Sequence, residues 1–160
     1  MDEVGILLIG HGSRDGRSNE GFLEFVEKYK QGCGITQVRY AFIELEEPGI
    51  EAELEILVQS VQKVIIAPLL LFKAGHANVD VPDAVNGVKA KFPNREYLIV
   101  DAFGVQDRLA DLMTIRANET AILQSNDSKE VTVLVLGRGA SDTSATSDFS
   151  KQVRLFEEKQ

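Results

Sequence analysis

The stretch VGILLIGHGSRDG, residues 4–16, joins an aliphatic run to a histidine that stands between two glycines. A short, continuous apolar run that ends in glycine is typical of a strand buried within a sheet. The chain therefore leaves a buried strand directly at His11. In an α/β protein, the loop beyond the carboxyl end of such a strand is where a functional site is expected.

The same pattern continues along the chain, where runs rich in Val, Ile and Leu alternate with segments of helical period. Such alternation predicts β-α units with right-handed crossovers. The predicted fold class is α/β, a layered, flavodoxin-like parallel β-sheet flanked by helices on both faces. We expect strands near 4–9, 36–43, 64–71, 96–101 and 131–136, and helices near 18–30, 49–62, 82–91, 106–124 and 146–158.

Composition excludes several classes of protein. The 160 residues carry a net charge of −8 and contain no run of Lys or Arg, which argues against nucleic-acid binding. Cys33 is the single cysteine, so an intramolecular disulfide and a cysteine-based metal cluster are excluded. No apolar run approaches the roughly 20 residues of a membrane span, and the acidic N-terminus does not resemble a signal peptide. We expect a soluble, cytoplasmic protein.

An internal repeat links the two ends of the chain. EVGILLIGHGSRDGRSNEGF (3–22) aligns without a gap with EVTVLVLGRGASDTSATSDF (130–149), and both copies keep two glycines and an aspartate. Arg138 stands where the first copy has His11. The repeat predicts a complete α/β domain over 1–125, followed over 126–160 by a connector and the first strand and helix of a second, incomplete repeat.

Three residues are candidates for chemistry. His11 and His76 are the only histidines, each follows a predicted strand, and Glu44 follows another. If these strands are neighbours, two imidazoles and a carboxylate enter one crevice, an incomplete coordination shell for iron, cobalt, nickel or zinc. The alternatives are satisfied loop histidines and a solvated carboxylate, Glu44 being part of an acidic patch with Glu46 and Glu47.

The loop after the first strand also has an anion-binding interpretation. Glycines let the backbone approach a ligand, and Gly12, Ser13, Arg14 and Arg17 offer N–H, hydroxyl and guanidinium donors for carboxylates. Solvated arginines at a helix start are the alternative. The glycine spacing fits neither a phosphate-binding loop nor a dinucleotide fingerprint. Ser13 lacks the G-x-S-x-G elbow of a serine hydrolase.

The motifs LLIGHGSR, FIELEEPGIEAEL and VIIAPLLLFKAGHANVDVPDAV, in this order, resemble the class II chelatases of tetrapyrrole biosynthesis, the sirohydrochlorin cobaltochelatase and ferrochelatase group. The resemblance extends over roughly 1–125 and implies a chelatase-like fold. GRGASD at 137–142 is similar to the start of the second half of long-form members, in which Arg replaces the catalytic His.

The resemblance implies ATP-independent insertion of a divalent metal into sirohydrochlorin, an activity of sirohaem and cobalamin biosynthesis. It makes His11 and His76 the metal-binding and catalytic histidines and Glu44 the active-site glutamate. Gly12, Ser13 and Arg14 would hold the carboxylates of the macrocycle. The metal, Co²⁺, Fe²⁺ or Ni²⁺, is a substrate, and no other cofactor is expected.

Two questions stay open at the level of sequence. The site is expected to need either a homodimer or a missing C-terminal half to close it. The main alternative function is a non-catalytic carrier of metal or tetrapyrrole. A phosphomonoesterase that uses His11 as nucleophile is a weaker alternative, because the site is acidic and poor in arginine.

Overall fold

The computed structural model describes residues 2–72, 75–124, 132–140 and 142–160. They form two compact units, Met1–Ala102 and Phe103–Gln160. The strands are β1 Asp2–Gly10, β2 Val38–Phe42, β3 Val61–Pro68 and β4 Glu96–Ile99. The helices are α1 Gly16–Gly32, α2 Ile50–Ser60, α3 Gly75–Asn78, α4 Asp80–Lys91, α5 Asp107–Gln124 and α6 Thr143–Glu157.

The first unit contains one parallel sheet with the strand order β2-β1-β3-β4. Strand β1 lies between β2 and β3, and its Ile6 pairs with Val38 on one side and Ile65 on the other. The chain steps from β1 to β2 in one direction and then crosses to place β3 on the other side of β1. This reversal creates a crevice beyond the carboxyl ends of β1 and β3, where doubly wound sheets bind ligands.

Alternate side chains of the strands point to opposite faces, and helices cover both. Helices α2 and α4 pack on one face around Leu7, Ile9, Leu54, Leu57, Val64, Ile66, Val85 and Val88. Helix α1 packs on the other face around Ile6, Leu8, Val26 and Val38, with Phe22 and Tyr29 at its margin. The predicted α/β class, a layered parallel sheet flanked by helices on both faces, is confirmed.

The second unit is built on helices α5 and α6. The buried side chain of Gln152 in α6 accepts from the backbone N–H of Gln106 at 2.8 Å and donates to its carbonyl at 3.1 Å. The Lys159 ammonium donates to Asp111 of α5 at 2.5 Å. These polar contacts hold the start of α5 against α6, and α6 confirms the helix predicted near 146–158.

The strand predicted at 131–136 is wrong for residues 132–136, which have no regular secondary structure. Leu134 and Leu136 are 78% and 81% exposed. A strand exists only when a neighbouring strand takes up its backbone hydrogen bonds, and the described residues of the second unit contain no strand. Residues 125–131, which include most of the predicted connector, lie outside the described residues.

The boundary between the two compact units falls before α5, whereas the repeat places a domain boundary after it, at 125/126. Strand β3 also begins and ends three residues earlier than predicted. None of the helices in the described part of the chain combines the length and hydropathy that crossing a membrane requires.

Candidate metal and tetrapyrrole site

The ends of three adjacent strands bring the candidate residues to one edge of the sheet. His11 directly follows β1, and Glu44 lies just beyond the end of β2. The backbone of His76 lies in α3, the short helix that follows β3. Because β1 lies between β2 and β3, His11 follows an inner strand of the sheet, at the point where the strand order reverses.

The side chains of His11 and Glu44 meet. The Nδ1 atom of His11 lies 3.7 Å from Oε1 of Glu44, and the two side chains are 49% and 41% exposed. Nδ1 also lies 3.2 Å from the carbonyl oxygen of Gly12. Since a carbonyl can only accept, Nδ1 is the donor in this contact, and a metal-binding imidazole whose Nδ1 donates in this way binds through its other nitrogen, Nε2.

These contacts do not test His76, the third residue of the predicted set. The described side chains contain no group of three or more His, Cys, Asp or Glu in an arrangement that could hold a metal ion. The side chain of His76 lies outside those described, so its participation stays a prediction. The structure itself brings together two of the three predicted residues, His11 and Glu44.

The backbones of the two loops are paired as well. The N–H of Ile43 donates to the carbonyl of Gly10 at 3.0 Å, and the N–H of Glu44 donates to that of His11 at 3.1 Å. Gly12 has a φ of +89°, a conformation that favours glycine. The positive φ is a structural reason for glycine at position 12. The predicted contact of Gly12 with substrate stays a prediction.

The next residues start helix α1. Asp15 caps the helix, because its side chain accepts from the backbone N–H of Arg17 at 3.1 Å. The Arg17 guanidinium also donates to this carboxylate at 3.0 Å, and these bonds hold the pKa of Asp15 below its usual value. Ser13 accepts from the N–H of Asp15 through its hydroxyl at 3.0 Å. Ser13 and Arg17 therefore have structural roles at the helix start.

Arg14 differs from these neighbours. Its side chain is exposed and makes no ion pair with any residue that the structure describes. A guanidinium suits bidentate contact with a carboxylate. Of the two arginines in this loop, Arg14 is the one whose charge is not already engaged by Asp15.

Sequence reasoning missed Asn19. This side chain in α1 is only 8% exposed, and its Nδ2 donates to the carbonyl of Ser13 at 2.8 Å and to Oε2 of Glu46 at 3.0 Å. Two glutamates of the predicted acidic patch therefore have different hydrogen-bond partners. Glu46 accepts from Asn19, whereas Glu47 accepts from the N–H of Gly49 at 2.8 Å. The repeat gave no signal for Asn19, because the second copy has a different residue, Thr146, at the matching position.

The turn in the second copy of the repeat shares two backbone features with the turn in the first. Gly139 has a φ of +77°, matching the +89° of Gly12. Asp142 caps α6 by accepting from the backbone N–H two residues later, as Asp15 does for α1. Arg138, in the position of His11, is exposed. The shared residues are the architecture of the turn, and the histidine is specific to the first copy.

The strand order, the contact between His11 and Glu44 and the motifs described above agree with the predicted resemblance to class II chelatases. A family model described as CbiX matches residues 5–120. The chain belongs to the CbiX family.

Named proteins and a solved structure agree with this assignment. The chain is 34% identical over 160 residues to a sirohydrochlorin ferrochelatase of Priestia megaterium, covering 99% of this chain and 58% of that protein. It is 31% identical over 156 residues to a sirohydrochlorin cobaltochelatase of the same species, covering 96% and 50%. The structure of SirB from Bacillus subtilis with Fe³⁺ superposes with a TM-score of 0.87 at 27% identity, covering 98% and 61%. The chain thus spans half to about three-fifths of the length of these proteins.

Proposed function

We propose that this chain carries the metal-inserting site of a sirohydrochlorin chelatase, which places Co²⁺ or Fe²⁺ in the macrocycle without ATP. The observation that carries the proposal is the 3.7 Å contact between His11 and Glu44 beyond the carboxyl ends of β1 and β2. The names of the two Priestia megaterium relatives support the substrate and both metals. The reaction would serve sirohaem or cobalamin biosynthesis, and we place it in the cytoplasm.

The reaction exchanges the ligands of the metal for four pyrrole nitrogens and releases two N–H protons. In this proposal, Nε2 of His11 binds the incoming ion on one face of the macrocycle while Nδ1–H donates to Gly12, and His76 supplies a second nitrogen ligand. The carboxylate of Glu44, which is next to His11 and in reach of water, accepts the two released protons in turn and passes each of them to water. General-base assistance of this kind is worth about 10²- to 10⁴-fold in rate.

The macrocycle carries carboxylates, whereas the chain has a net charge of −8. The carboxylates of the macrocycle must therefore be attracted by hydrogen-bond donors in the loop after β1. In this proposal the Arg14 guanidinium binds one carboxylate of the substrate, and the Ser13 hydroxyl and the Gly12 N–H contribute further hydrogen bonds. The acidic remainder of the surface favours capture of the cation.

We further propose that residues 126–160 open a second α/β unit, as the repeat predicts. The matched roles of Gly139 and Asp142 support this, and so does the fact that the named relatives are longer. The exposed Leu134 and Leu136 would then pair in a second sheet, supplied by a C-terminal half or by another copy. Amide hydrogen exchange tests this: amides 132–136 should exchange fast in this chain and slowly in a version extended through the second repeat.

The test of the activity is the absorbance change on Co²⁺ or Fe²⁺ insertion into sirohydrochlorin. His11→Ala and His76→Ala should each lower the rate by at least about 100-fold. Glu44→Gln should also slow insertion, whereas Glu24→Gln, an exposed change of the same charge on α1, should not. Wild-type rates in both histidine variants would refute the proposal.

The same assay separates an enzyme from a carrier. A carrier would bind metal or tetrapyrrole in a fixed stoichiometry and would not exceed the rate of spontaneous insertion. Competition between Co²⁺, Fe²⁺ and Ni²⁺ in one reaction then identifies the preferred metal, because all three accept imidazole and carboxylate ligands.

A further inference from the structure

The side chain of Asn19 joins the two loops that carry the candidate residues. It is 8% exposed, and its single Nδ2 donates to the Ser13 carbonyl, in the His11 loop, and to Glu46 Oε2, in the Glu44 loop. Both bonds, at 2.8 and 3.0 Å, have ordinary hydrogen-bond lengths. One amide group thus fixes both loops to helix α1.

The repeat supplies an internal comparison. Thr146 takes the place of Asn19 in the second copy, and its hydroxyl donates to the carbonyl of Ala140, the residue that matches Ser13, at 3.4 Å. Its other bond, to the carbonyl of Asp142 at 3.3 Å, also stays within its own loop. The chain contains no residue that matches Glu46, so the comparison between the copies covers only the bond to the position of Ser13.

We propose that Asn19 is a positioning residue that sets the separation of His11 and Glu44 by bonding to Ser13 and Glu46 together. The inference rests on the proposed function and assigns a role to a residue that contacts neither metal nor macrocycle. Residues that orient a metal ligand typically contribute about 10- to 100-fold to metal affinity or activity. An interaction that holds two loops should therefore affect Co²⁺ binding in the folded chain, beyond the loss of fold stability that removal of a buried hydrogen bond brings.

Asn19→Thr copies the second repeat and is the most direct test, because it keeps a donor for Ser13 and removes the bond to Glu46. Glu46→Ala removes the same bond from the other side, and Glu46→Gln keeps an acceptor oxygen while losing the charge. Binding of Co²⁺ to the full chain without tetrapyrrole is measured by calorimetric titration, together with the thermal unfolding temperature.

We expect Asn19→Thr and Glu46→Ala each to weaken Co²⁺ binding by about 10-fold or more, measured well below the unfolding temperature of each variant. The double variant should bind no more weakly than Glu46→Ala, which already lacks the bond to Asn19 as well as the bond from the Glu47 N–H at 3.3 Å. Glu46→Gln should bind nearly as the wild type. In the insertion assay, KM for Co²⁺ should rise in the two single variants by the same factor as the dissociation constant.

The proposal is overturned if Asn19→Thr binds Co²⁺ as the wild type does, if the two losses multiply in the double variant, or if Glu46→Gln is as weak as Glu46→Ala. His11→Ala, titrated in parallel, separates this result from the proposed function. If His11→Ala binds Co²⁺ normally, the metal site itself is misassigned. If it loses binding while Asn19→Thr does not, only the positioning role fails.

Discussion

The α-carbon of Gly12 lies against the backbone of Glu44, so closely that an added Cβ would stand 1.8 Å from the Glu44 carbonyl oxygen. No side-chain rearrangement relieves this overlap, because the obstructing atom belongs to the backbone. Gly12 follows His11 in sequence, and therefore this close approach of the two loops occurs next to a residue proposed to hold the metal.

Gly12→Ala should displace the Glu44 loop and separate His11 from Glu44. A left-handed backbone in a non-glycine residue costs about 1–3 kcal/mol, and the overlap with the carbonyl adds to this cost. A misplacement of about 1 Å in a reacting group can lower a rate by about 100-fold. The insertion rate and the Co²⁺ dissociation constant are the measurements, and we expect both to worsen by at least about 10-fold.

Gly139→Ala is the matched control, since Gly139 has a φ of +77° but, among the residues that the structure describes and apart from its chain neighbours, no atom lies within 4 Å of an added Cβ. This variant carries the backbone strain without the overlap, at the position that matches Gly12 in the second copy. We expect it to bind Co²⁺ as the wild type does. If Gly12→Ala is no worse than Gly139→Ala, the close approach to Glu44 does not control the site.

The strands of the sheet were predictable because they coincide with short aliphatic runs in the sequence. The run VGILLI is apolar on both sides, as a strand with helices on both faces must be, and β1 has its residues buried on both faces. The segment 132–136 is as apolar as β1, yet it is not a strand. Sequence pattern specifies what a segment is suited to, whereas strand formation also needs a neighbour.

The candidate site was predictable to a similar degree. His11 and Glu44 could be placed at strand ends from their positions alone, and neighbouring strands then bring them together. Asn19 could not be found in this way, because a buried amide in a helix has no periodicity or motif of its own. Its role depends on two acceptors from separate loops, and such a relationship exists only in three dimensions.

Arg14 is expected to act on the tetrapyrrole and not on the metal. Arg14→Ala should raise KM for sirohydrochlorin by about 10-fold, the factor that corresponds to one hydrogen bond to a charged group, and should leave Co²⁺ binding unchanged. Arg108→Ala, an exposed arginine of α5, is the control. An equal change in the metal affinity of Arg14→Ala would contradict this division of roles.

Asp15 should contribute to stability in a pH-dependent manner. Its hydrogen bonds with Arg17 lower its pKa in the folded chain, so its contribution is complete above the ordinary pKa of an aspartate and is lost as the pH falls through the lower folded value. Asp15→Ala should lower the unfolding temperature by a few degrees near neutral pH, because the cap of α1 is lost. The difference from the wild type should shrink in acid below that folded value.

Asp15→Asn provides the comparison for this effect. Asparagine keeps an oxygen that can cap the helix but does not titrate. Its unfolding temperature near neutral pH should therefore lie closer to the wild type than that of Asp15→Ala. A gap between Asp15→Ala and the wild type that stays constant through the acid range would show that ionisation of Asp15 does not stabilise the fold.

Gly10 should be intolerant of alanine because of the ring of Phe22. An added Cβ would lie 3.1 Å from two atoms of this ring and 3.2 Å from a third. The ring cannot easily retreat, because it packs against Phe42 at a centroid distance of 5.1 Å. The second copy repeats the arrangement more tightly, with an added Cβ on Gly137 at 2.8 Å from the ring of Phe149.

Gly10→Ala should therefore lower the free energy of unfolding by about 1–3 kcal/mol, the usual cost of overpacking, measured by urea denaturation. Phe22→Leu removes the planar ring and should cost stability in the wild type while offsetting part of the loss in Gly10→Ala. The sign of the coupling in this double-mutant cycle is the decisive quantity. Additive losses would mean that the glycine is required by the backbone alone, whereas a smaller combined loss means that the ring above Gly10 selects glycine at the end of β1.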